Sequence, residues 1–407
     1  MKKINLIWLI CCISFANFGQ KAILKAGPWR GEIRSIGGQL PFNFILKNEV
    51  NGKIPLQIQN GAEKFSLGDA FFRNDSLVIP FDLYDSELVF SIKSSELLNG
   101  FWIKKRNGNV LGKLAVEAKF GSEERFFANN VSTISAQGKW KTNFYDDPNK
   151  PSLGVGVFEQ SGNKVTGTFL RTSGDYRFLQ GNIIGDSLLM SYFDGSAVML
   201  MKAKIQKNTF SGMFYSGLAG KREIKGFLDP KASLPDLKTL TQLKSGFNTL
   251  NFALPSTTGE IVKLSDEKFK NKVVVLELMG SWCPNCLDES RYLSPFYNKN
   301  KSKGLEMIGL AFEYSADMAV SGPKIDNFRK KVGINYPILF AGLPNEETIA
   351  KVLPEIDKLN GYPTTFIIDK KGIVREIHTG FSGPGTGQYY QDWIHEFEKT
   401  IQKLLNE

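Results

Sequence analysis

The chain has 407 residues, 42% of them hydrophobic and 23% charged, with a formal net charge of +10. It is too long for one average domain and too apolar for wholesale disorder, so two or three folded domains are expected. The lysines are scattered among Asp and Glu and no zinc-finger pattern accompanies them, which favours a solvated mixed surface over nucleic-acid binding.

The first residues, MKKINLIWLICCISFANFGQ, have the form of a secretory signal peptide over 1–19: two lysines, an apolar run, then small and polar residues. The apolar run is short for a membrane span of about 20 residues. Cleavage fits after Ala16 or after Gly19. A lipoprotein at Cys11 or Cys12, which bulky Ile10 disfavours, and an uncleaved signal anchor are the alternatives. Export to a periplasm or cell envelope is expected. Cys283 and Cys286 would then be the mature chain's only cysteines, in an oxidising compartment.

Residues 20–229 read as all-β, with short apolar alternations broken by Gly, Asn and Asp. They contain an internal repeat. Trp140 follows Trp29 by 111 residues, Asp186 follows Asp75 by the same interval, and Gly212 follows Gly100 by 112. Two tandem meander units are expected, 20–124 and 125–229, each a barrel or an open sandwich. Trp29 and Trp140 read as core anchors in preference to a ligand-cavity lining. No acid pair or His cluster marks chemistry here, so an unidentified ligand or partner is the open possibility for this region.

Residues 230–247 carry two prolines and read as a linker. From 248 to 407 the pattern changes to α/β. KVVVLELMG is a strand buried on both faces, a helix runs from about Cys283 to Asn300, and LEMIGLAF is a second buried strand. A helix ending at Gly333, the strand YPILF and a helix stopped by Pro354 follow. The hairpin TTFIID–KKG–IVREIHTG and an amphipathic helix over about 388–405 complete the domain.

The stretch MGSWCPNCLDES carries the chemistry. Cys283 falls at a strand-to-helix junction, where unpaired N–H groups and the helix dipole stabilise a thiolate. Pro284 suits the first helical turn, because it needs no N–H partner there. Cys286 follows by almost a turn, within reach of a mixed disulfide. The expected roles are Cys283 as nucleophile and Cys286 as resolving thiol, with no metal and no cofactor. Zinc would need four ligands, and the mature chain offers this pair and two distant histidines, His378 and His395. A copper-carrying dithiol lacks a Met or His motif nearby, and a purely structural disulfide would close almost no loop.

On these residues 248–407 resembles the thioredoxin fold, in particular the exported TlpA/ResA-like thiol–disulfide oxidoreductases. The matching pieces are NFALPSTTGEIVKLSD, KVVVLELMGSWCPNC with Glu289 three beyond the second Cys, and GYPTTFIIDKKGIV. The resemblance implies that Pro363 is a cis-proline beside the dithiol and that Tyr362 offers its backbone to a substrate chain. It puts Glu277 in the place of the buried acid under the dithiol, where burial raises the pKa and suits proton exchange with Cys286. A different strand register would leave Glu277 solvated. Glu289 matches an acid of the ResA-like branch or is a surface charge, and Trp282 shapes the docking surface. Pro295 lies later in the first helix than the proline common in this fold. No His lies between the cysteines, which favours a reductase over an oxidase.

The expected activity is reduction of protein disulfides with electrons from a membrane-bound thiol donor. The alternatives are an envelope binding or scaffold protein whose dithiol is secondary, and a peroxiredoxin-like peroxidase with antioxidant activity. The peroxidase lacks its usual pattern, since Gly280 stands three residues before Cys283.

Overall fold

The structure is a computed structural model and describes residues 23–66, 68–128 and 131–407. The segment read as a signal, with Cys11 and Cys12, lies outside the described residues. The region before the C-terminal domain is all-β, in two antiparallel sheets of ten and nine strands. The choice between barrel and sandwich is answered differently in each.

The second unit closes. Strand Lys164–Arg171 pairs with Ser152–Ser161 on one side and with Leu179–Ile184 on the other, completing an eight-stranded barrel. The first unit is a half-barrel. Its counterpart of the closing strand is cut in two by Pro55: Lys53–Ile54 pairs with Ala70–Arg73, and Leu56–Asn60 pairs with Gly38–Leu46. Proline donates no ladder hydrogen bond, so the pairing shifts sides at that residue.

The anchors of the repeat occupy equivalent places. Trp29 and Trp140 are each the third residue of a strand, Gly27–Ser35 and Gly138–Tyr145. Both are buried core side chains, and both donate the indole N–H to the carbonyl four residues earlier, Lys25 at 3.0 Å and Ala136 at 2.8 Å. Each large ring is therefore buried without an orphaned donor. Gly100 and Gly212 sit where the neighbouring strand comes so close that a Cβ would meet its carbonyl oxygen at 1.9 Å (Val89) and 2.1 Å (Lys202).

The two units form one body. Phe193 of the barrel inserts among Phe42, Phe81 and Trp102 of the half-barrel, with ring centroids 4.5, 5.5 and 6.3 Å away. Between the units, buried Arg125 donates to Asn43 Oδ1, Gln59 O, Asn60 Oδ1 and Ser191 O at 2.6–3.0 Å. Those four acceptors belong to both sheets, so one guanidinium ties them while its own donors stay satisfied.

The stretch 230–247 is pinned to the C-terminal domain: Gln242–Leu243 pairs with Ile356–Lys358, and Lys238 pairs with Glu376 and Glu396. That domain holds a five-stranded sheet in the order Ile338–Gly342, Leu305–Phe312, Val273–Met279, Thr364–Ile368, Val374–Thr379. The first three are parallel, and the last two form the antiparallel hairpin. Its helices are α1 (Pro284–Asn300), α2 (Met318–Val332), α3 (Glu346–Val352) and α4 (Gln388–Asn406). Every residue of the central strand Val273–Met279 is buried. Val273, Val275 and Met279 join the core with α1, α2 and α4, and Val274, Leu276 and Leu278 join the core of the opposite face. The period of two places Glu277 on the helical face.

Candidate active site

Cys283 is the N-cap of α1 and Pro284 its first residue. The chain reaches this point from the central strand through a tight turn in which Cys283 N–H donates to Gly280 O at 3.0 Å. Glu313 fixes the turn: its carboxylate accepts from Ser281 N at 2.8 Å and from Ser281 Oγ at 2.9 Å. Burial raises that carboxyl to about 7. Trp282 folds back over Gly280 and donates its indole N–H to Phe312 O at 2.9 Å. A Cβ at Gly280 would clash with that indole, 2.4 Å away.

Cys283 and Cys286 form a disulfide, with Cα atoms 5.2 Å apart. Cys286 N–H donates to Cys283 Sγ at 3.2 Å, so an unpaired amide of the helix start points at this sulfur. Tyr362 O lies 3.9 Å from the same sulfur. The Tyr362–Pro363 bond is cis, and the strand Thr364–Ile368 begins just after it. Cys286 is fully buried and Cys283 is 5% exposed.

Glu277 and Glu289, one left between buried and solvated and the other between site and surface by the sequence, are both buried. Glu289 and Ser290 lie three and four residues beyond Cys286, on the same helical face one turn away. Ser290 Oγ donates to Glu277 Oε1 at 2.9 Å and to Oε2 at 3.1 Å, and Tyr336 OH donates to Oε2 at 3.4 Å. Thr365, the cross-strand neighbour of Glu277, donates Oγ1 to Glu289 Oε1 at 2.9 Å. Glu289 Oε2 is buried with no partner. Burial raises Glu277 to about 7, against the pull of Ser290 and Tyr336. Burial raises Glu289 well above the ordinary carboxylate range, and the charge of Glu277 raises it further. Two carboxyls so placed do not both ionise near neutrality, and Glu289 is the harder of the two to ionise.

Several residues of this site gave no motif. Ser290 was within reach of a helical-spacing argument from Cys286; Tyr336 and Thr365 join only through the tertiary fold. Arg177 comes from the barrel, over a hundred residues upstream. Its guanidinium donates to Pro284 O at 3.1 Å and to Glu63 Oε1 at 2.9 Å, and it pairs with Asp288 of α1. One buried side chain thus touches the half-barrel and α1 from the barrel. Of the residues singled out by sequence, Trp282, Cys283, Pro284, Cys286, Tyr362 and Pro363 lie together around the dithiol, with Glu277 and Glu289 beneath its helix. Among the described residues no group of His, Cys, Asp and Glu is arranged to hold a metal.

A dithiol at the start of α1, after the central strand of this sheet, puts the C-terminal domain in the thioredoxin-like class, whose chemistry is thiol–disulfide exchange. The AhpC/TSA family profile matches residues 246–377. The thiol–disulfide oxidoreductase ResA of Bacillus subtilis (strain 168) is 32% identical over 138 residues, covering 34% of this chain and 69% of that protein. ResA of Geobacillus kaustophilus (strain HTA426) is 29% identical over 147 residues, covering 34% and 72%. A solved thiol:disulfide interchange protein of the thioredoxin family from Chlorobium tepidum TLS shares 22% identity, covers 39% of this chain and 95% of its own, and gives a TM-score of 0.30. The chain belongs, through its C-terminal domain, to the ResA family of thiol–disulfide oxidoreductases.

Proposed function

We propose that the protein is an exported reductase of protein disulfides. The observation that carries this reading is the amide of Cys286 aimed at Cys283 Sγ, with the Tyr362 carbonyl facing the same sulfur. In the reduced protein the Cys283 thiolate attacks one sulfur of a client disulfide. A Cys283–client bond forms, the client bond breaks, and the other client sulfur leaves as a thiolate. Cys286 then passes its proton to the Glu277 carboxylate through the polar cluster under α1, and its sulfur attacks Cys283 Sγ. The mixed disulfide breaks, the second client thiolate leaves, and the Cys283–Cys286 disulfide remains. A membrane-bound thiol donor restores the dithiol. The absence of a His between the cysteines supports reduction as the direction, and the signal-like segment 1–19 supports export. The units 20–124 and 125–229, the stretch 230–247 and the domain 248–407 are the proposed division of the mature chain.

The test is a pair of variants. Cys283→Ser is expected to abolish reduction of a peptide disulfide. Cys286→Ser is expected to accumulate mixed disulfides with client chains in the cell envelope, whose identification names the clients. Full turnover by Cys283→Ser refutes the assignment.

A further inference from the structure

The dithiol is walled on two sides by hairpins of the β units. On one side the barrel's turn 171–175 lies against the domain. A Cβ at Gly361 would meet Ser173 Cβ at 3.1 Å, one at Gly380 would meet Thr172 O at 2.9 Å, and one at Gly174 would strike Asn285 Nδ2 at 1.9 Å. Asn285, between the two cysteines, donates to Asp175 O at 3.3 Å, and Gly383 N–H donates to Asp175 Oδ2 at 2.7 Å. The turn is thus fitted to glycines and bonded to the active-site helix.

On the other side stands the half-barrel's hairpin tip around Asn107. Asn107 Nδ2 donates to Tyr314 O at 3.3 Å, and its Oδ1 accepts from Lys324 Nζ at 2.9 Å. Arg106 lies over the Tyr314 ring at 4.4 Å, and that ring packs on Trp282 at 4.6 Å. The hairpin tip thus borders the aromatic surface beside Cys283, where Tyr314 stays 39% exposed and Cys283 only 5%.

We propose that the two hairpin tips make the dithiol a slot selective for extended, flexible chains carrying a disulfide, with Arg106 and Ser173 as its specificity-determining lips. Disulfides on the surface of a folded protein cannot bring their sulfur to Cys283 without moving one lip. An extended chain can lie between the lips beside the Tyr362 carbonyl. This rests on the dithiol being the reactive centre.

The test compares the second-order rate constants with which the mature chain, fully reduced beforehand, is oxidised by three disulfides: Ellman's reagent, an unstructured cyclic peptide, and native ribonuclease A. Ser173→Trp narrows the slot at an exposed position and is expected to lower the peptide rate relative to Ellman's reagent by about tenfold. The double variant Arg106→Ala, Tyr314→Ala removes the opposite lip at exposed positions and is expected to raise the ribonuclease-to-peptide ratio by about tenfold. Both are checked for native circular dichroism, and Ser173→Trp carries the test if the double variant fails to fold. Ratios unchanged in the folded variants, with the Ellman reaction still dependent on Cys283, overturn the slot and leave the dithiol reading intact. An Ellman reaction that keeps the wild-type rate in Cys283→Ser overturns both.

Discussion

Replacing Glu277 by Gln is expected to stabilise the oxidised protein at pH 8 and to leave it nearly unchanged at pH 5. The carboxyl titrates near 7 in place of 4.5 because burial disfavours its charged form. At about 1.4 kcal/mol per pKa unit, ionising it in the folded chain costs about 3 kcal/mol more than in the unfolded one. The folded pKa is the higher, so the native state holds an extra proton between pH 4.5 and 7. Stability therefore falls as pH rises through that window and stays low above it. Gln cannot ionise. Its carbonyl oxygen still accepts from Ser290 Oγ, and its amide nitrogen takes the place of Oε2, 3.4 Å from Tyr336 OH. One amide hydrogen is left without a good acceptor, which returns about 1 kcal/mol. The net expectation is about 2 kcal/mol of stabilisation at pH 8 and almost no change at pH 5, where ionisation of the unfolded carboxyl has already cost the wild type about 1 kcal/mol. Urea unfolding of both proteins at pH 5, 6, 7 and 8 measures the difference. A difference that does not change with pH refutes the reasoning, because the carboxyl would then ionise as it does in water and could not serve as the proton acceptor.

In single-turnover reduction, the rate of wild-type resolution is expected to climb with pH up to about 7; Glu277→Gln should flatten the climb and slow the step about a hundredfold. Arg177→Met takes the buried cation from Glu63 and leaves Asp288 only its longer pair with Arg291 at 3.6 Å; a cost of about 3 kcal/mol is expected, read by thermal unfolding and by faster proteolysis between the barrel and the C-terminal domain. Phe193→Ala empties the contact with Phe42, Phe81 and Trp102; a loss of about 3–5 kcal/mol is expected, with the two β units melting separately by calorimetry.

The C-terminal domain was legible because local signals agreed with one another. Continuous apolar strands, Pro284 inside the first turn and Gly333 past the end of α2 each state a local conformation. The repeat was legible for a related reason. Trp29 and Trp140 cap the same local geometry, and Gly100 and Gly212 answer the same close approach of strands. What periodicity could not supply was partnership across long separations. Nothing local to Arg177 announces that it meets Pro284, and nothing local to Glu289 tells a surface acid from a buried one. The difference between barrel and half-barrel also lay beyond strand patterning, because it turns on which neighbour each residue bonds.

That last difference has a dynamic meaning. In the barrel, Lys164–Gly167 pair on both sides, with 158–161 and with 179–182. In the half-barrel no residue near Pro55 joins the two corresponding strands at once. The repeats should thus differ in how readily their amides open to solvent. Deuterium is expected to enter 50–60 and 70–73 on a shorter timescale than 155–170, although the two segments descend from one pattern. The missing N–H of a single proline gives the first unit a seam along which it can breathe, while its twin exchanges as a closed ring.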